Sequence, residues 1–561
     1  MATHEVMSTT PPDSKRFGRY YTPETVAQAM VDWAIRDSSC TVLDPSFGGC
    51  AFFRTSLRTL RRLGAKNPGR LLYGVDIDPG ARTYLAPLLT SGADSNQFRT
   101  EDFLETKPCK MSQAPYSVVV GNPPYVRHHN VEGKFALVRA LGSDDGTTLS
   151  ARASYWAYFV LHSLDFIAPG GRFAMVLPGA FLHADYAATV RQRLARTFSK
   201  LTIILIRERL FADAEENSVV VLAEGRGFEH KELRVTIADS AQDLGPICHS
   251  VGRRTTLVSD SSGKEVLSAF IGKSVLGTYQ ELRTDSRVAF LDKLASVRIG
   301  TVTGANGFFI VTEAQSRQLH IPNRCLKPIV KRATFLRGLS FTRSDHSRLL
   351  RRGEAALLLK LTDGRDVSRQ MAAYLRLGKE EGIHERYKCS IRTKWYRIDE
   401  PHSPDAFLQY MSSETPRLVL NPTKVACTNA IHELTWKARV PGLVRRSLAM
   451  SSLSALFRLS AELEGRSYGG GVLKVEPSEA KRLLLMSLPD GKERIAARFS
   501  GIDALLRAGK RPEATELADR LFLRDGLGLS KAIISELNAA CENLKGLRLP
   551  RQAPNSLSKI A

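Results

Sequence analysis

The chain has no cysteine pair at C-x-x-C spacing and no Cys/His cluster at zinc-ligand spacing. A structural zinc site and a thioredoxin-type redox centre are therefore not expected, nor is any other metal. Its cysteines, Cys40, Cys50, Cys109, Cys248, Cys325, Cys389, Cys427 and Cys541, are scattered, as expected of reduced thiols in a cytoplasmic protein rather than of a disulfide framework. No apolar run reaches the ~18 residues of a membrane span. Met1 to Asp13 is polar and has no apolar core, so no signal peptide is expected. Acidic residues are in short supply: 57 Asp and Glu stand against 80 Lys and Arg, a net charge of +23. That excess suits a polyanionic partner, DNA or RNA first, with a solvated basic surface as the plain alternative.

What is present reads as two or three domains, given 561 residues of which 43% are hydrophobic. Residues 1–15 are small, polar and proline-bearing, as in a disordered tail. Beyond them short apolar runs alternate with helical stretches. Strands are expected at Thr41–Asp44, Leu71–Val75, Tyr116–Val120, Arg172–Leu177, Leu201–Ile206 and Ser218–Ala223. Helices are expected at Phe52–Leu63, where Phe53, Leu57, Leu60 and Leu63 recur at helical spacing, and at Ala151–Ile167. This alternation predicts an α/β domain with a mostly parallel sheet and helices on both faces. After about Glu229 the runs shorten and charge becomes irregular. Lys492–Arg548 returns to helical periodicity. The expected domains are 16–235, an α+β domain over 236–490, and a helical segment over 491–561.

The most specific feature is Asn122-Pro123-Pro124-Tyr125, one residue past the apolar strand. The exocyclic amino group of a nucleobase is conjugated to its ring and is a poor nucleophile. Acceptors that bind its hydrogens draw the lone pair out of conjugation. The Asn122 side-chain oxygen and the Pro123 carbonyl are suited to this, since proline has no competing N–H and its fixed φ stiffens the turn. Tyr125 offers a face for stacking on a base taken out of the helix. No strong base is needed when the methyl donor is a sulfonium, so catalysis would rest on positioning and preorganised electrostatics. The competing reading is a plain strand-to-loop turn.

Upstream lies Val42-Leu43-Asp44-Pro45-Ser46-Phe47-Gly48-Gly49-Cys50, a strand entering a glycine turn before a helix. It lacks the Lys-Ser/Thr ending of a phosphate-binding loop and departs from the dinucleotide pattern. Asp44, Pro45, Ser46 and Gly48 are its candidate cofactor contacts. Asp76, at the end of the second strand, is placed for ribose hydroxyls, with Ile77 against an adenine ring. Asp102 and Phe103 follow, Asp102 as acceptor for an adenine amino group. For any one of these aspartates a solvated loop carboxylate is the ordinary reading; four features in order at one α/β spacing make it the weaker one.

This series resembles the TaqI-like, gamma-class DNA adenine-N6 methyltransferases. The resemblance begins at Gly18-Arg19-Tyr20-Tyr21-Thr22-Pro23 and runs through Asp44-Pro45, Asp76, Asp102-Phe103 and Asn122–Tyr125, with a later stretch at Leu210-Phe211 followed by Asn217. It implies a Rossmann-like class I S-adenosylmethionine-dependent methyltransferase domain, then a target-recognition domain and the helical segment. It implies S-adenosyl-L-methionine as cofactor, with Tyr21, Thr22 and Pro23 near its methionine part and Asn122 and Pro124 also touching it. It assigns Phe211 to stacking on a flipped base. One position departs from the family pattern: Cys50 stands where the family has glycine, and a side chain there is expected to crowd the turn or the cofactor unless Gly49 takes over its flexibility.

The second half resembles the family's recognition domains at Gly300–Phe309, Lys394-Trp395-Tyr396, Asn429–His432 and Ser467–Lys474. Eight Lys/Arg and one acid, Asp345, lie between Lys327 and Arg352. Lys327, Lys331, Arg332 and Arg337, with Lys394, are the expected phosphate contacts. Trp395 is a wedge candidate, with core packing as its alternative.

The expected function is site-specific transfer of methyl to adenine N6 in double-stranded DNA, within a restriction–modification or phage-defence system of a prokaryotic cytoplasm, at the nucleoid. The alternatives are another planar amino group (cytosine N4, whose enzymes more often carry Ser in place of Asn122, RNA guanine, or a protein glutamine amide) and a DNA-binding protein with a decayed cofactor site. No P-D…(D/E)-x-K nuclease arrangement stands out, so any restriction endonuclease is expected in a separate protein.

Overall fold

The computed structural model describes residues 22–125, 149, 153–211, 217–228, 231–250, 255–258, 261, 263–361, 369–468, 471–487 and 492–549. Two compact units make up the chain. The first comprises Met1–Ile271, Gly469–Gly471 and Leu544–Ala561; the second comprises Gly272–Tyr468 and Val472–Asn543.

Nine strands form one sheet in the first unit: β1 (Val42–Asp44), β2 (Leu72–Asp76), β3 (Phe98–Thr100), β4 (Tyr116–Gly121), β5 (Ile167–Pro178), β6 (Phe198–Ile206), β7 (Ser218–Arg226), β8 (Glu232–Ala238) and β9 (Thr256–Val258). Their order is β3-β2-β1-β4-β5-β7-β6-β8-β9. The first five in that order run parallel, and β7 lies antiparallel between β5 and β6. The central strands read as continuous apolar runs because helices cover both faces. Val118, Val119, Val120 and Phe173 through Leu177 are all within 1% of complete burial.

Two helices frame the front of this sheet. α1 (Glu24–Ala34) buries Val26, Met30 and Val31. α2 (Ala51–Arg62) buries Phe52, Phe53, Leu57 and Leu60 on one stripe and leaves Arg61 and Arg62 in its last turn, where cations complement the helix dipole. Phe47, Phe53 and Phe98 form a ring cluster with centroids 5.4–6.1 Å apart. That cluster dictates glycine at position 74, where a Cβ would lie 2.8 Å from both Phe47 and Phe53.

The expected strands and helices of this region are present, with ends shifted by a few residues. β8 and β9 extend the sheet past β6, so the first unit runs to Ile271; the compositional boundary at 235/236 falls inside β8.

The second unit is α+β. One four-stranded antiparallel sheet joins Ala295–Ile299, Ile431–Trp436, Ala406–Gln409 and Leu418–Leu420. Another joins Ile310–Val311, Leu357–Leu359, Leu326–Val330 and Ala426–Cys427. Helices follow at Gly442–Ser451 and Ala455–Glu464, the latter buried on every face, then at Lys492–Arg507 and Arg511–Ala518, and finally at Lys531–Arg548, which belongs to this unit as far as Asn543. No helix among the described residues is long and apolar enough to cross a membrane.

Candidate active site

The strand order reverses at β1, which has β2 on one side and β4 on the other. In open α/β sheets, ligands bind outside the carboxyl ends of the strands at such a switch point. Two of the sequence candidates sit there. Asp44 ends β1, and Asn122 follows the last residue of β4. Gly121 allows their approach: a Cβ at that position would meet Asp44 Oδ1 at 3.0 Å and Pro45 Cδ at 3.3 Å.

The two loops are joined directly. Ser46 Oγ donates to the Asn122 main-chain carbonyl at 3.1 Å, and Ser46 N–H donates to Asp44 Oδ1 at 3.0 Å. Ser46, read from the sequence as a cofactor contact, thus positions the Asn122–Tyr125 segment. Gly48 N–H donates to Asp76 Oδ2 and Asp78 N–H to Asp76 Oδ1, both at 2.8 Å. Asp76 therefore ties the glycine turn to the end of β2. Ile77, beside it, is 58% exposed, an apolar surface suited to an aromatic ring.

Asp44 is the electrostatic centre of this corner. It is 1% exposed, and Oδ2 has no hydrogen-bond partner among the described residues. Burial, with the charge of Asp76 nearby, pushes its carboxyl up to about 8, against the pull of the Ser46 N–H. A buried acceptor beside a second carboxylate suits a cationic ligand group.

Asp102 is held from two sides. Its Oδ1 accepts from Leu104 N–H at 3.0 Å, and the Tyr155 hydroxyl reaches Oδ1 at 3.2 Å and Oδ2 at 3.0 Å. In the sequence Tyr155 lies within the expected Ala151–Ile167 helix without a role; its place at the helix start, after Ser154, is the available signal. Phe103 turns away from this corner. Its ring packs against Phe159, His162 and Phe166 at 4.8–5.3 Å, so its side chain serves the core rather than an open cofactor surface.

Tyr125 and Phe211 come together edge-on, with ring centroids 6.4 Å apart. Tyr125 is half-buried, and its hydroxyl donates to the Val176 carbonyl at 3.2 Å. Phe211 is 5% exposed. Thr22 is buried, and the Pro23 carbonyl accepts from Val26 and Ala27 N–H at 3.1 Å to open α1. Tyr21, the residues before it, and the Ala212–Ala214 part of the later motif lie outside the described residues.

Cys50 does not crowd the turn. It is fully buried in the core beside α2, with φ +59°. The left-handed residues are Gly48 (φ +41°) and Cys50, so the turn keeps its geometry without help from Gly49. Holding a non-glycine residue there costs on the order of 1 kcal/mol, which the surrounding apolar contacts offset. Burial pushes the Cys50 thiol up to about 12.

In the second unit Arg332, Arg337 and Lys394 are exposed and Lys331 is half-buried. Lys327 pairs with Glu400 at 3.7 Å, and Arg337 donates to the Arg507 carbonyl at 2.9 Å. The lone acid, Asp345, caps its own helix through Thr342 and binds Arg507 at 2.6 Å. Trp395 follows the packing alternative: its ring lies 5.5 Å from Phe308 and 6.1 Å from Phe309.

Comparison with known proteins agrees with this architecture. Residues 6–271 match the N-6 DNA Methylase family, and residues 263–523 match the C-terminal domain of the type II methyltransferase M.Eco57I. The type II methyltransferase M.AccI of Acinetobacter calcoaceticus is 22% identical over 488 residues, 84% of this chain and 86% of that protein. M.XamI of Xanthomonas campestris pv. amaranthicola is 25% identical over 482 residues, with the same shares covered. Among solved structures, the type IIL restriction-modification enzyme MmeI in complex with DNA superposes with a TM-score of 0.55 at 13% identity, over 91% of this chain and 73% of that one. The chain spans 65% of the type IIG restriction endonuclease BpuSI, with a TM-score of 0.41 and 17% identity over 94% of this chain. Residues 6–271 thus form an N-6 DNA methylase region, and the chain as a whole is similar to S-adenosylmethionine-dependent DNA methyltransferases of restriction–modification systems.

Proposed function

We propose that this chain methylates N6 of a flipped-out adenine at a specific site in double-stranded DNA. The observation that carries this reading is the Ser46–Asn122 bond, which fixes an Asn-Pro-Pro-Tyr turn against the cofactor-side loop at the sheet's switch point. Asn122 Oδ1 and the Pro123 carbonyl accept the amino hydrogens, and Tyr125 and Phe211 hold the base. The asparagine, rather than serine, favours adenine N6 over cytosine N4.

The residues present fit S-adenosylmethionine. The orphaned Oδ2 of Asp44 suits its ammonium group, Asp76 its ribose hydroxyls, Ile77 the face of its adenine, and Asp102 the adenine amino group. Bound there, it supplies an electrophilic methyl group, so the chain itself needs to orient the amino nitrogen and exclude water. The second unit reads the DNA, with Arg332, Arg337 and Lys394 toward phosphates. Cleavage of unmodified DNA belongs to a separate endonuclease. The chain works in the cytoplasm of a prokaryote, on nucleoid DNA.

Long-read sequencing of DNA from cells expressing the chain tests the reading. N6-methyladenine confined to one short motif is the expected result; N4-methylcytosine, or no modified base, would sink it.

Phe211 permits a sharper test of base capture. Phe211→Leu keeps most of the buried volume but removes the aromatic face. It is expected to raise KM for DNA by about 1–3 kcal/mol equivalent, with the thermal midpoint little changed. Phe211→Ala adds a core cavity and lowers stability by about 3–5 kcal/mol. Wild-type KM in the leucine variant refutes the stacking role.

A further inference from the structure

In the second unit, the large apolar side chains left exposed among the described residues fall in two short stretches: Ile299 and Val302, and Leu377, Tyr387 and Ile391. The 299–302 and 387–391 segments are clamped together. The Arg392 guanidinium donates to the Val302 carbonyl at 2.9 Å and lies 5.8 Å over the Phe309 ring. Cys389, fully buried, places Sγ 3.9 Å from the Thr303 carbonyl. Gly304, at φ +82°, leaves that sulfur its space, since a Cβ there would sit 2.9 Å from it.

With Cys389 pinned inward, Tyr387 and Ile391, four residues apart around one helical turn, are left outward together. They are 72% and 61% exposed, and Tyr387 is the most exposed large apolar side chain among the described residues of the chain. Cations surround them. From Arg386 to Arg397 there are five Lys/Arg and no acid, with one exposed acid, Glu385, just before them. Arg386, Lys388 and Lys394 are exposed, and Lys388 Nζ lies 5.4 Å from the centre of the Tyr387 ring. Arg392 is committed to the clamp.

An apolar tip flanked mainly by cations is poorly suited to a second copy of itself, because most of the charges brought together would be alike. It complements a surface whose rim is anionic and whose interior stacks. We propose that Tyr387 and Ile391 form a wedge against the base pairs of double-stranded DNA, with Arg386, Lys388 and Lys394 on the flanking phosphates. This rests on the reading that the chain methylates duplex DNA. It moves the wedge from Trp395, whose half-buried ring packs against Phe308 and Phe309, to Tyr387.

The test uses the full chain and a duplex of about 30 bp carrying the motif methylated in cells, beside a scrambled duplex. Y387A/I391S is expected to raise Kd for the motif duplex by about tenfold or more, with an unchanged salt slope because no phosphate contact is lost. K388Q/K394Q is expected to weaken both duplexes and to reduce the slope of log K against log salt by about two. Both variants keep the wild-type thermal midpoint, since the substituted side chains are exposed. If the wild type methylates DNA and Y387A/I391S binds and methylates equally well, the wedge is overturned alone. If the wild type methylates no duplex, the wedge and the functional reading fall together. A Y387A/I391S variant that changes only its elution volume in gel filtration, with duplex affinity intact, also overturns the wedge and assigns the patch to self-association.

Discussion

Asn122→Ala is expected to lower kcat for DNA methylation by at least about 10²–10³, the usual loss when one preorganised polar group is removed from a reacting centre. Affinities for cofactor and for duplex are expected to stay within a few-fold. The separation of effects follows from how the segment is held. Ser46 Oγ grips the main-chain carbonyl of Asn122, Tyr125 is anchored to Val176 through its hydroxyl, and Pro123 is buried. None of these depends on the Asn122 side chain, so the turn survives the substitution. What disappears is one acceptor for the amino hydrogens, needed most when the lone pair leaves conjugation. Single-turnover kinetics with saturating DNA read the chemical step directly. Asn122→Ser, which keeps a shorter acceptor, should retain measurable turnover. A normal single-turnover rate in the alanine variant eliminates Asn122 from the chemistry.

The legible part of this fold was the part written in long apolar runs and special turns. β4, β6, β7 and the Phe173–Leu177 part of β5 are largely buried on both faces, so their sequences are mostly apolar runs, and α2 carries its stripe of Phe and Leu on one face. β3, β8 and β9 were not read. β3 is three residues long, only one of them fully buried, and β8 and β9 at the sheet margin carry mixed burial. Their pairing is decided by neighbours distant in sequence, which periodicity does not report. The same contrast holds in the site. Asp44 and Asp76 end strands, Asn122 directly follows one, and all three announce themselves by position. The bonds that tie them together do not, because Ser46 to Asn122 spans 76 residues and Tyr155 to Asp102 spans 53. Phe103 and Trp395 show the reverse limit: an aromatic beside a motif residue reads as a ligand contact until packing shows it in a core, as for Phe103, or against one, as for Trp395. Cys50 looked like a defect because the sequence gives no direction to its side chain, and the direction is inward.

Asp44→Asn is expected to abolish the pH dependence of cofactor binding and to weaken binding at pH 8 by about 10²-fold or more. Burial holds the Asp44 carboxyl at about 8, against about 4 for an exposed aspartate. Because the folded-state value is raised, the native chain binds more protons than the unfolded chain between those limits. The contribution of Asp44 to stability is therefore fullest below about pH 4 and is lost as pH rises through about 8. The ligand-free wild type should lose stability toward alkaline pH, and the variant, which has nothing to ionise at this position, should lose less. A cationic ligand reverses the balance. An ammonium group against the orphaned Oδ2 favours the carboxylate, so binding near neutral pH must release a proton. One linked proton makes affinity rise by about tenfold per unit between roughly pH 6 and 8. Calorimetry with S-adenosylhomocysteine, which carries the same ammonium, reads this directly when run in two buffers of different ionisation enthalpy. The wild type is expected to give buffer-dependent heats and the variant buffer-independent ones. Identical heats for the wild type in both buffers, or an affinity flat with pH, would remove Asp44 from the ammonium contact and leave its buried carboxyl a purely structural element of the β1 turn.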